Sequence, residues 1–209
     1  MNILAIGAHP DDIEFGCGGT LIKLARLKHK VSLFVTTQGE IGAKKNIRRL
    51  EQEKVCKVIG VKKLCWAGYQ DTNVPTGKEL IDKIEAALKE VKPEIVFFNH
   101  PDDIHQDHRA VAHCALSATR YIKRVLLYEV PTSKNFEPDI FVDISKFMNK
   151  KLQLLKLHKS QVKKTRVPKL TILESAKSCA IFRGYQARVK HAEGFKSLRF
   201  MLDFKKGGR

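Results

Sequence analysis

Two clusters of histidine and aspartate, far apart in the chain, could together hold a metal ion. The first is His9-Pro10-Asp11-Asp12, and the same four residue types recur as His100-Pro101-Asp102-Asp103, followed by His105-Gln106-Asp107-His108. Imidazole nitrogen and carboxylate oxygen are ligands that zinc and similar divalent metals prefer. Two such clusters in one small chain therefore predict a metal site.

A catalytic zinc site typically has three protein ligands and one position left open for water. His9 and Asp12 could both face one ion from a tight turn, and His108 could complete the set from the second cluster. Pro10 restricts the backbone of that turn and so lowers the entropy lost when the ligands are ordered. We therefore predict His9, Asp12 and His108 as the metal ligands.

The remaining groups of the two clusters suit general acid–base catalysis. Asp11 lies beside a predicted ligand and could accept a proton from water activated at the metal. His105 could donate to a developing oxyanion, and Asp107 could fix its tautomer or raise its pKa. This set predicts a hydrolase in which Asp11 is the general base. His100 ends a strand and is either a direct neighbour of the metal site or a hydrogen-bond partner behind it, of which the second is favoured.

Either cluster alone has a simpler interpretation, because a His-Pro-Asp sequence in a loop often forms a turn whose aspartate caps a helix. The metal interpretation gains its support from the two clusters together. Each follows a short apolar segment, residues 3–8 and 94–98, of the kind that forms a strand buried in a parallel sheet.

Apolar periodicity predicts the elements that would position these clusters. We expect a loop after the first strand, a helix opening at Gly18, and helices that end at Gly60 and before Pro93. Beyond Pro131 the pattern is weaker. The remaining predicted strands lie at 31–36, 63–67 and 139–144, and the remaining predicted helices at 47–59, 80–91 and 146–158.

Short strands that alternate with amphipathic helices form right-handed βαβ units, so we predict an α/β fold with a parallel, doubly wound sheet. Sheets of this kind bind ligands beyond the carboxyl ends of their strands, where both clusters stand. We expect a single domain over residues 1–209, with the metal-binding core roughly in residues 1–130.

The chain is strongly basic, with 39 lysines and arginines against 22 acidic residues and a formal net charge of +17. Basic residues such as Lys62-Lys63 and Lys163-Lys164 are spread along the chain, which argues against a dedicated nucleic-acid-binding module. The charge suggests, as a hypothesis, a substrate that carries phosphate, nucleotide or carboxylate. A role in solubility is the alternative.

The five cysteines are widely spaced and form no Cys-x-x-Cys pair, which favours a reducing, cytoplasmic setting. The first residues predict a strand rather than a signal peptide, because they lack a basic region and run directly into the first cluster. No apolar stretch approaches the roughly twenty residues that a membrane span requires.

The two histidine and aspartate motifs resemble those of a known family. Ala8-His9-Pro10-Asp11-Asp12 with the later His105-x-Asp107-His108 is similar to the LmbE-like, PIG-L-type zinc-dependent N-acetylglucosaminyl de-N-acetylases, and weaker patches extend the resemblance to Ala192-Glu193-Gly194-Phe195. It implies a Rossmann-like, three-layer α/β fold and one catalytic zinc ion. It also implies hydrolysis of the N-acetyl group of an N-acetylglucosamine-type sugar or glycoside conjugate, which releases acetate and a free amine.

Carried over by position, the resemblance implies the same roles for the residues of both clusters. Asp11 would be the general base, His105 would stabilise the tetrahedral intermediate, and Asp107 would tune His105. The implied zinc ligands are His9, Asp12 and His108.

The resemblance also implies that Arg48 and Asp71 help to hold the substrate. Arg49 is an alternative to Arg48, and a surface salt bridge is the alternative role. The family's frequent trimers and hexamers imply a homo-oligomer. Two positions depart from the family pattern, because Gln106 stands where many members have proline and Asp103 where some carry an active-site tyrosine.

Two other functions remain open from the sequence. The same site could cleave a larger amide, such as a thiol conjugate, or the chain could be a basic nucleic-acid-binding protein with a non-catalytic metal. Iron(II) is an alternative to zinc, because histidine and carboxylate ligands suit both metals.

Overall fold

The computed structural model of the protein describes residues 1–43 and 46–202, in which one seven-stranded sheet is flanked by helices. The strands, in chain order, are β1 (Asn2–Gly7), β2 (Lys30–Thr37), β3 (Lys63–Tyr69), β4 (Ile95–Asn99), β5 (Arg124–Tyr128), β6 (Ile140–Asp143) and β7 (Ala192–Phe200). The helices are α1 (Asp12–Arg26), α2 (Ile47–Ile59), α3 (Lys78–Val91), α4 (Gln106–Ala118), α5 (Met148–Leu157) and α6 (Ile172–Gln186).

The sheet has the order β3-β2-β1-β4-β5-β7-β6 and is mostly parallel. Strands β1 to β5 pair in parallel, whereas β7 runs antiparallel to both β5 and β6. The chain extends the sheet from β1 toward β3 in one direction and from β4 toward β5 in the other. The gap between the carboxyl ends of β1 and β4 is thus a topological switch point, where such sheets bind ligands. The predicted α/β, mostly parallel fold is confirmed.

Helices cover both faces of the sheet and make the fold three-layered. Alternate residues of β1 point to opposite faces, so that Ile3 packs in one hydrophobic cluster and Leu4 in the other. One cluster includes Ile13 of α1, Val55 of α2 and Leu154 of α5, whereas the other is built from α3 and α4. The strands of this centre are apolar on both faces because both faces are buried.

Helix α1 begins six residues earlier than predicted, at Asp12 rather than Gly18. The expected loop of the first cluster is therefore a single turn, with Asp11 as the residue before the helix. The glycines that suggested a helix start are instead points of close packing, because a Cβ at Gly16 would overlap the Tyr128 ring and one at Gly19 would lie 3.0 Å from Ile144. Tertiary packing here overrides the low helix propensity of glycine.

The carboxyl-terminal third contains elements that the sequence pattern missed. Helix α6 has apolar residues on all sides, so no single stripe marks it as a helix. Strand β7 begins at Ala192, inside the patch that the resemblance had already pointed to, and pairs on both sides within the sheet. Within the described residues, no helix is both long enough and apolar enough to cross a membrane.

Candidate metal centre

The two histidine and aspartate clusters meet at the carboxyl ends of β1 and β4. His9 follows β1, Asp12 is the first residue of α1, and His108 lies in the first turn of α4. Since β1 and β4 are neighbours in the sheet, the loops that follow them converge. The structure thus brings together the three residues predicted as metal ligands.

The potential ligand atoms of these three residues form a nearly equilateral triangle. His9 Nδ1 lies 3.3 Å from His108 Nε2, His108 Nε2 lies 3.3 Å from Asp12 Oδ2, and Asp12 Oδ2 lies 3.5 Å from His9 Nδ1. Bonds of about 2.0–2.1 Å to a tetrahedral zinc ion would separate neighbouring ligand atoms by about 3.3–3.4 Å. The residues therefore fit one face of a tetrahedral site, and the fourth position would face the cavity.

The opposite nitrogen of His9 lies between two buried carboxylates. Its Nε2 is 3.0 Å from Asp71 Oδ1 and 3.1 Å from Asp107 Oδ2. A carboxylate at this nitrogen fixes the proton there, which leaves the lone pair of Nδ1 for a metal. Backbone amides hold the carboxylates in turn, because Asp107 accepts from Thr72 and Asp71 accepts from Ile41.

His108 has the same arrangement with its ring nitrogens exchanged. Its Nδ1 lies 3.2 Å from Asp103 Oδ1 and 3.2 Å from Thr132 Oγ1, while Nε2 faces the ligand triangle. Asp103 also accepts from the backbone N–H of His105 at 2.9 Å and from Ser133 Oγ at 3.0 Å. A carboxylate with these partners is fixed in position and orients the imidazole.

The buried carboxylates give this site a need for positive charge. Burial lowers the pKa of His108, but Asp12, aided by Asp103, outweighs burial and raises that pKa to about 9. For His9, hydrogen bonds to Asp107, Asp12 and Asp71 likewise outweigh burial and hold the pKa well above its usual value. Burial also raises the pKa of Asp12, but the His108 charge reverses this and keeps the carboxylate ionised. A divalent cation would supply the two charges that these protons otherwise bring.

Two other groups of potential ligand atoms overlap this triangle, each within 4.8 Å: His9 with His105 and His108, and His9 with Asp71 and Asp107. In the first, His105 Nδ1 already accepts the backbone N–H of Asp107, so the ring proton lies on Nε2 and neither nitrogen of His105 is left for a metal. In the second, the shared atom is His9 Nε2, which needs its proton for the two carboxylates. We therefore favour the triangle of His9, Asp12 and His108.

Asp11 lies next to the triangle and is held by Arg48. Arg48 Nη2 donates to Asp11 Oδ1 at 3.0 Å and to the backbone oxygen of Pro10 at 2.6 Å. Asp11 has a φ of 96°, a conformation that costs a non-glycine residue about 1–3 kcal/mol and is often found at functional sites. Burial raises the pKa of Asp11, and the Arg48 charge opposes that rise.

His105 caps α4 and presents its ring to the cavity. Since Nδ1 accepts the Asp107 N–H at 3.2 Å, the proton of the neutral ring belongs on Nε2. Burial and the charges of His9 and His108 lower the pKa of His105, so the neutral form is favoured. A neutral imidazole with a proton on Nε2 can donate to an oxyanion.

The role expected for Asp107 is met only in part. Its carboxylate contacts His9 and only its backbone contacts His105, although the Asp107 charge acts to raise the pKa of His105 against the larger effects that lower it. The Asp107 side chain is fully buried and is held by the backbone N–H groups of Thr72 and Val74, whereas His105 Nδ1 accepts the backbone N–H of Asp107 at the start of α4. His100 also differs, because it packs edge-on against Phe136 and takes no part in the histidine cluster.

Arg48 and Asp71 both line the cavity at the site, and the alternative residue Arg49 does not. Arg49 pairs with Glu53 on the surface of α2, as the salt-bridge alternative expected. The sequence reasoning missed Asp103 as the partner of His108. The signal was present, because Asp103 occupies in the second His-Pro-Asp-Asp run the place that Asp12 has in the first.

The site opens into a cavity of about 560 Å³, within the range typical of small-molecule sites. Its inner end holds the three potential ligands with Asp11 and His105. The outer wall comes from Val130 to Thr132 after β5 and from residues 164–175. Sequence periodicity could not have placed this outer wall, because those residues lie in a loop and a helix start without an apolar repeat.

Comparison with known proteins finds relatives that are named deacetylases. A family model described as "PIG-L: GlcNAc-PI de-N-acetylase" matches residues 4–119. A protein of Escherichia coli named "Uncharacterized deacetylase YaiS" is 36% identical over 167 residues, which cover 76% of this chain and 90% of that protein.

Solved structures agree with the fold. The conserved protein TT1542 from Thermus thermophilus has a TM-score of 0.87 at 24% identity and covers 99% of this chain and 100% of its own, a likeness of fold. An N,N'-diacetylchitobiose deacetylase from Pyrococcus horikoshii has a TM-score of 0.83 at 27% identity, with 94% of this chain and 83% of its own covered.

Proposed function

Because this chain belongs to the PIG-L family of GlcNAc-PI de-N-acetylases, we propose that it is a zinc-dependent hydrolase of an N-acetylglucosamine-type sugar or glycoside conjugate. The reaction removes the N-acetyl group and releases acetate and a free amine. The observation that carries the proposal is the triangle of ligand atoms from His9, Asp12 and His108, with Asp11 beside it on the cavity.

When bound, a zinc ion would lower the pKa of a coordinated water to about 7 and polarise a carbonyl oxygen. His9, Asp12 and His108 would hold it, with Asp71, Asp107 and Asp103 orienting the two imidazoles. Iron(II) would suit the same donors.

Asp11 accepts the proton of the attacking water as the water oxygen bonds to the acetyl carbon. Burial raises the pKa of Asp11 toward neutral pH. A general base is most effective when its pKa lies near the pH at which the enzyme works. Arg48 limits that rise and fixes the position of the carboxylate through Oδ1. The protonated Asp11 then returns its proton to the sugar nitrogen as the carbon–nitrogen bond breaks, so that the amine leaves neutral.

His105 donates from Nε2 to the oxygen that gains negative charge in the tetrahedral intermediate. The neutral imidazole has a proton on Nε2 that it can donate. The hydrogen bond from the Asp107 N–H to Nδ1 fixes the ring, so the donor needs no rearrangement during the reaction. Asp71 lies at the same cavity and is proposed to contact the sugar with the side of its carboxylate that His9 leaves free.

Three further features stay predictions from the sequence. The trimeric or hexameric assembly rests on the family resemblance. The cytoplasmic location rests on the cysteines, all five of which are free. The single domain over residues 1–209 is proposed from the continuous sheet that joins β1 to β7.

The test is a set of acetylated sugars incubated with the protein, with acetate and free amine both measured. We expect acetate from at least one N-acetylglucosaminide, loss of activity with a chelator, and recovery when zinc or iron(II) is returned. The control is an Asp12→Asn variant, which lacks the charge of one proposed ligand. Full activity in this variant would show that the metal is held by other residues.

Other products would favour the other functions. Release of a larger acyl fragment from a thiol conjugate, with no acetate from any sugar, would support the wider amidase. Salt-dependent binding to random duplex DNA without any amide hydrolysis would support a nucleic-acid-binding protein. Either result would contradict the proposed deacetylase.

A further inference from the structure

The outer wall of the cavity is formed by a loop with a defined shape, residues 162–172, which we name the basic loop. The backbone N–H of Ile172 donates to the oxygen of Val162 at 3.0 Å and closes the loop at its base. Inside it, Thr165 Oγ1 donates to the oxygen of Leu170 at 2.8 Å. These bonds brace the loop, and its backbone includes left-handed φ values of 59° at Arg166 and 63° at Lys169.

Two cations of the basic loop face the cavity, Lys164 and Arg166, together with the apolar side chains of Val167 and Leu170. Lys164 also donates to the backbone oxygen of Gly42, which ties the basic loop to the turn after β2. Among the residues that the structure describes, neither cation forms an ion pair.

The carboxylates of the cavity all lie at its inner end, and each already has a cationic or imidazole partner there. Asp11 pairs with Arg48, Asp71 contacts His9, and Asp12 belongs to the ligand triangle. The outer wall that the structure describes therefore presents positive charge without a matching negative group. Lys164 and Arg166 are exposed, as are their neighbours Val167 and Leu170, so salt screens their charge and the attraction for an anion is strongest at low ionic strength.

We propose that the basic loop selects substrates in which the group attached to the N-acetylglucosamine ring carries a phosphate or a carboxylate. This inference rests on the proposed deacetylase function and adds the chemical class of the substrate. The sugar ring is neutral, so the negative charge must come from the attached group, which projects from the inner end of the cavity toward the outer wall. Lys164 and Arg166 are specificity-determining residues in this proposal, and they take no part in the proton transfers.

The experiment compares three glycosides at low salt: N-acetylglucosamine 1-phosphate, carboxymethyl N-acetylglucosaminide and the neutral methyl N-acetylglucosaminide. The measured quantity is the ratio of kcat/KM for each anionic glycoside to that for the neutral one. The test variant is Lys164→Ala with Arg166→Ala. The matched control is Lys163→Ala with Lys169→Ala, which removes the same charge from the same loop at positions that do not line the cavity.

We expect the wild-type protein to prefer at least one anionic glycoside, and the test variant to lower that ratio about tenfold, the effect of about 1.4 kcal/mol from lost charge-assisted hydrogen bonds. The control variant keeps the wild-type ratio. Comparing the phosphate with the carboxylate identifies which anion the loop prefers.

Two results would overturn the inference while leaving the deacetylase function intact. One is equal kcat/KM for the neutral and both anionic glycosides. The other is an equal fall of the ratio in test and control variants, which would show an effect of net charge alone. If no glycoside releases acetate, the proposed function fails, and calorimetric binding of N-acetylglucosamine 1-phosphate decides the inference separately. Weaker binding in the test variant alone supports it, and equal or absent binding contradicts it.

Discussion

At the scale of residues, His9 and His108 each divide their two ring nitrogens between different tasks. One nitrogen of each points into the ligand triangle, and the other meets a buried carboxylate. The carboxylate behind each histidine favours the tautomer that a metal ligand needs, so it would contribute to the affinity for a metal without contacting the ion. Asp103 is the clearest example, because it contacts His108 but neither His9 nor Asp12.

We predict that Asp103→Asn lowers the affinity for zinc by about 10–100-fold, because an amide orients His108 Nδ1 less well than a carboxylate. Competition with a chromogenic chelator measures this change. Asp102→Asn is the matched control, since the neighbouring carboxylate bonds Asn135 at 2.7 Å and lies outside the site. Equal loss of affinity in both variants would contradict a role specific to Asp103.

We also predict that Asp11→Asn retains its metal and loses activity by about 100- to 10,000-fold in kcat, the usual contribution of a general base. Acetate release and metal analysis of the same preparation measure the two effects. Undiminished turnover would overturn the assignment of Asp11 as base. Loss of the metal would instead place Asp11 among the ligands.

At the scale of elements, helix α1 carries Asp12 and depends on contacts that reach into its backbone. Lys151 of α5 donates to the backbone oxygen of Phe15 and, at 2.6 Å, to Glu193 of β7. Glu193 in turn accepts the backbone N–H groups of Gly19 and Thr20 at 2.8 and 2.7 Å. This buried ion pair joins α1, α5 and β7, and it gives the Ala192 to Phe195 patch a structural role.

Tyr128 positions α1 from the sheet side. Its hydroxyl donates to the backbone oxygen of Ile6 at 2.8 Å, and its ring fills the space beside Gly16. A Cβ at Gly16 would lie 2.8 Å from Tyr128 Cε2 and closer still to two other ring carbons, whereas a Cβ at Gly18 would meet no atom within 3.7 Å. The two glycines of one helix therefore differ in how much space they have.

We predict that Gly16→Ala lowers the free energy of unfolding by about 1–3 kcal/mol or more, because the added methyl group displaces Tyr128 or α1. Gly18→Ala is the matched control and should raise that free energy by about 0.5–1 kcal/mol, since alanine is the better helix former. Urea denaturation measures both changes. Equal effects of the two substitutions would contradict the packing of Tyr128 against Gly16.

At the scale of the whole molecule, the site joins loops that follow β1, β3 and β4 and so links the central part of the sheet. Without a cation, buried carboxylates face one another across this junction, and protons on His9 and His108 must offset their charge. A ligand that binds the folded chain alone stabilises it by mass action. Metal binding should therefore stabilise the entire fold.

We predict that zinc at about 100 times its dissociation constant raises the thermal midpoint of the metal-free protein by on the order of 5–10 °C. Scanning calorimetry of chelator-treated protein, with and without zinc, measures this shift. His108→Ala is the comparison, because it removes one corner of the ligand triangle. A shift of the same size in that variant would show that zinc acts at another place.

The charge of the molecule has two separate contributions that composition alone does not distinguish. Most of the basic residues that the structure describes lie at the surface, in helices, strands and loops alike. Three line the cavity, and of these Arg48 pairs with Asp11, whereas Lys164 and Arg166 face the space beyond the proposed reaction centre. The net charge of +17 thus predicts only that some partner or substrate is anionic. The basic loop indicates where on the protein an anionic group of the substrate would bind.

The candidate metal ligands, the candidate general base and the alternation of elements through Asn99 could all be predicted from the amino-acid sequence. These depend on local chemistry and on apolar periodicity, both of which are properties of short segments. The strands that precede His9 and His100 are buried on both faces, so each could be recognised in the sequence as an uninterrupted apolar run. Parallel pairing of these neighbouring strands then predicts that the two clusters lie at the same edge of the sheet.

The direction of individual side chains, and the elements that long-range packing supports, became visible only in the folded chain. Asp103 and Asp107 are equally plausible partners of a histidine in sequence, and the turn before α4 decides that one faces His108 and the other His9. Helix α1 begins at Asp12 because Tyr128 and Ile144 fit against its glycines. The basic loop carries no repeat, and its position over the cavity follows from contacts with residues more than a hundred positions away in the chain, such as Gly42.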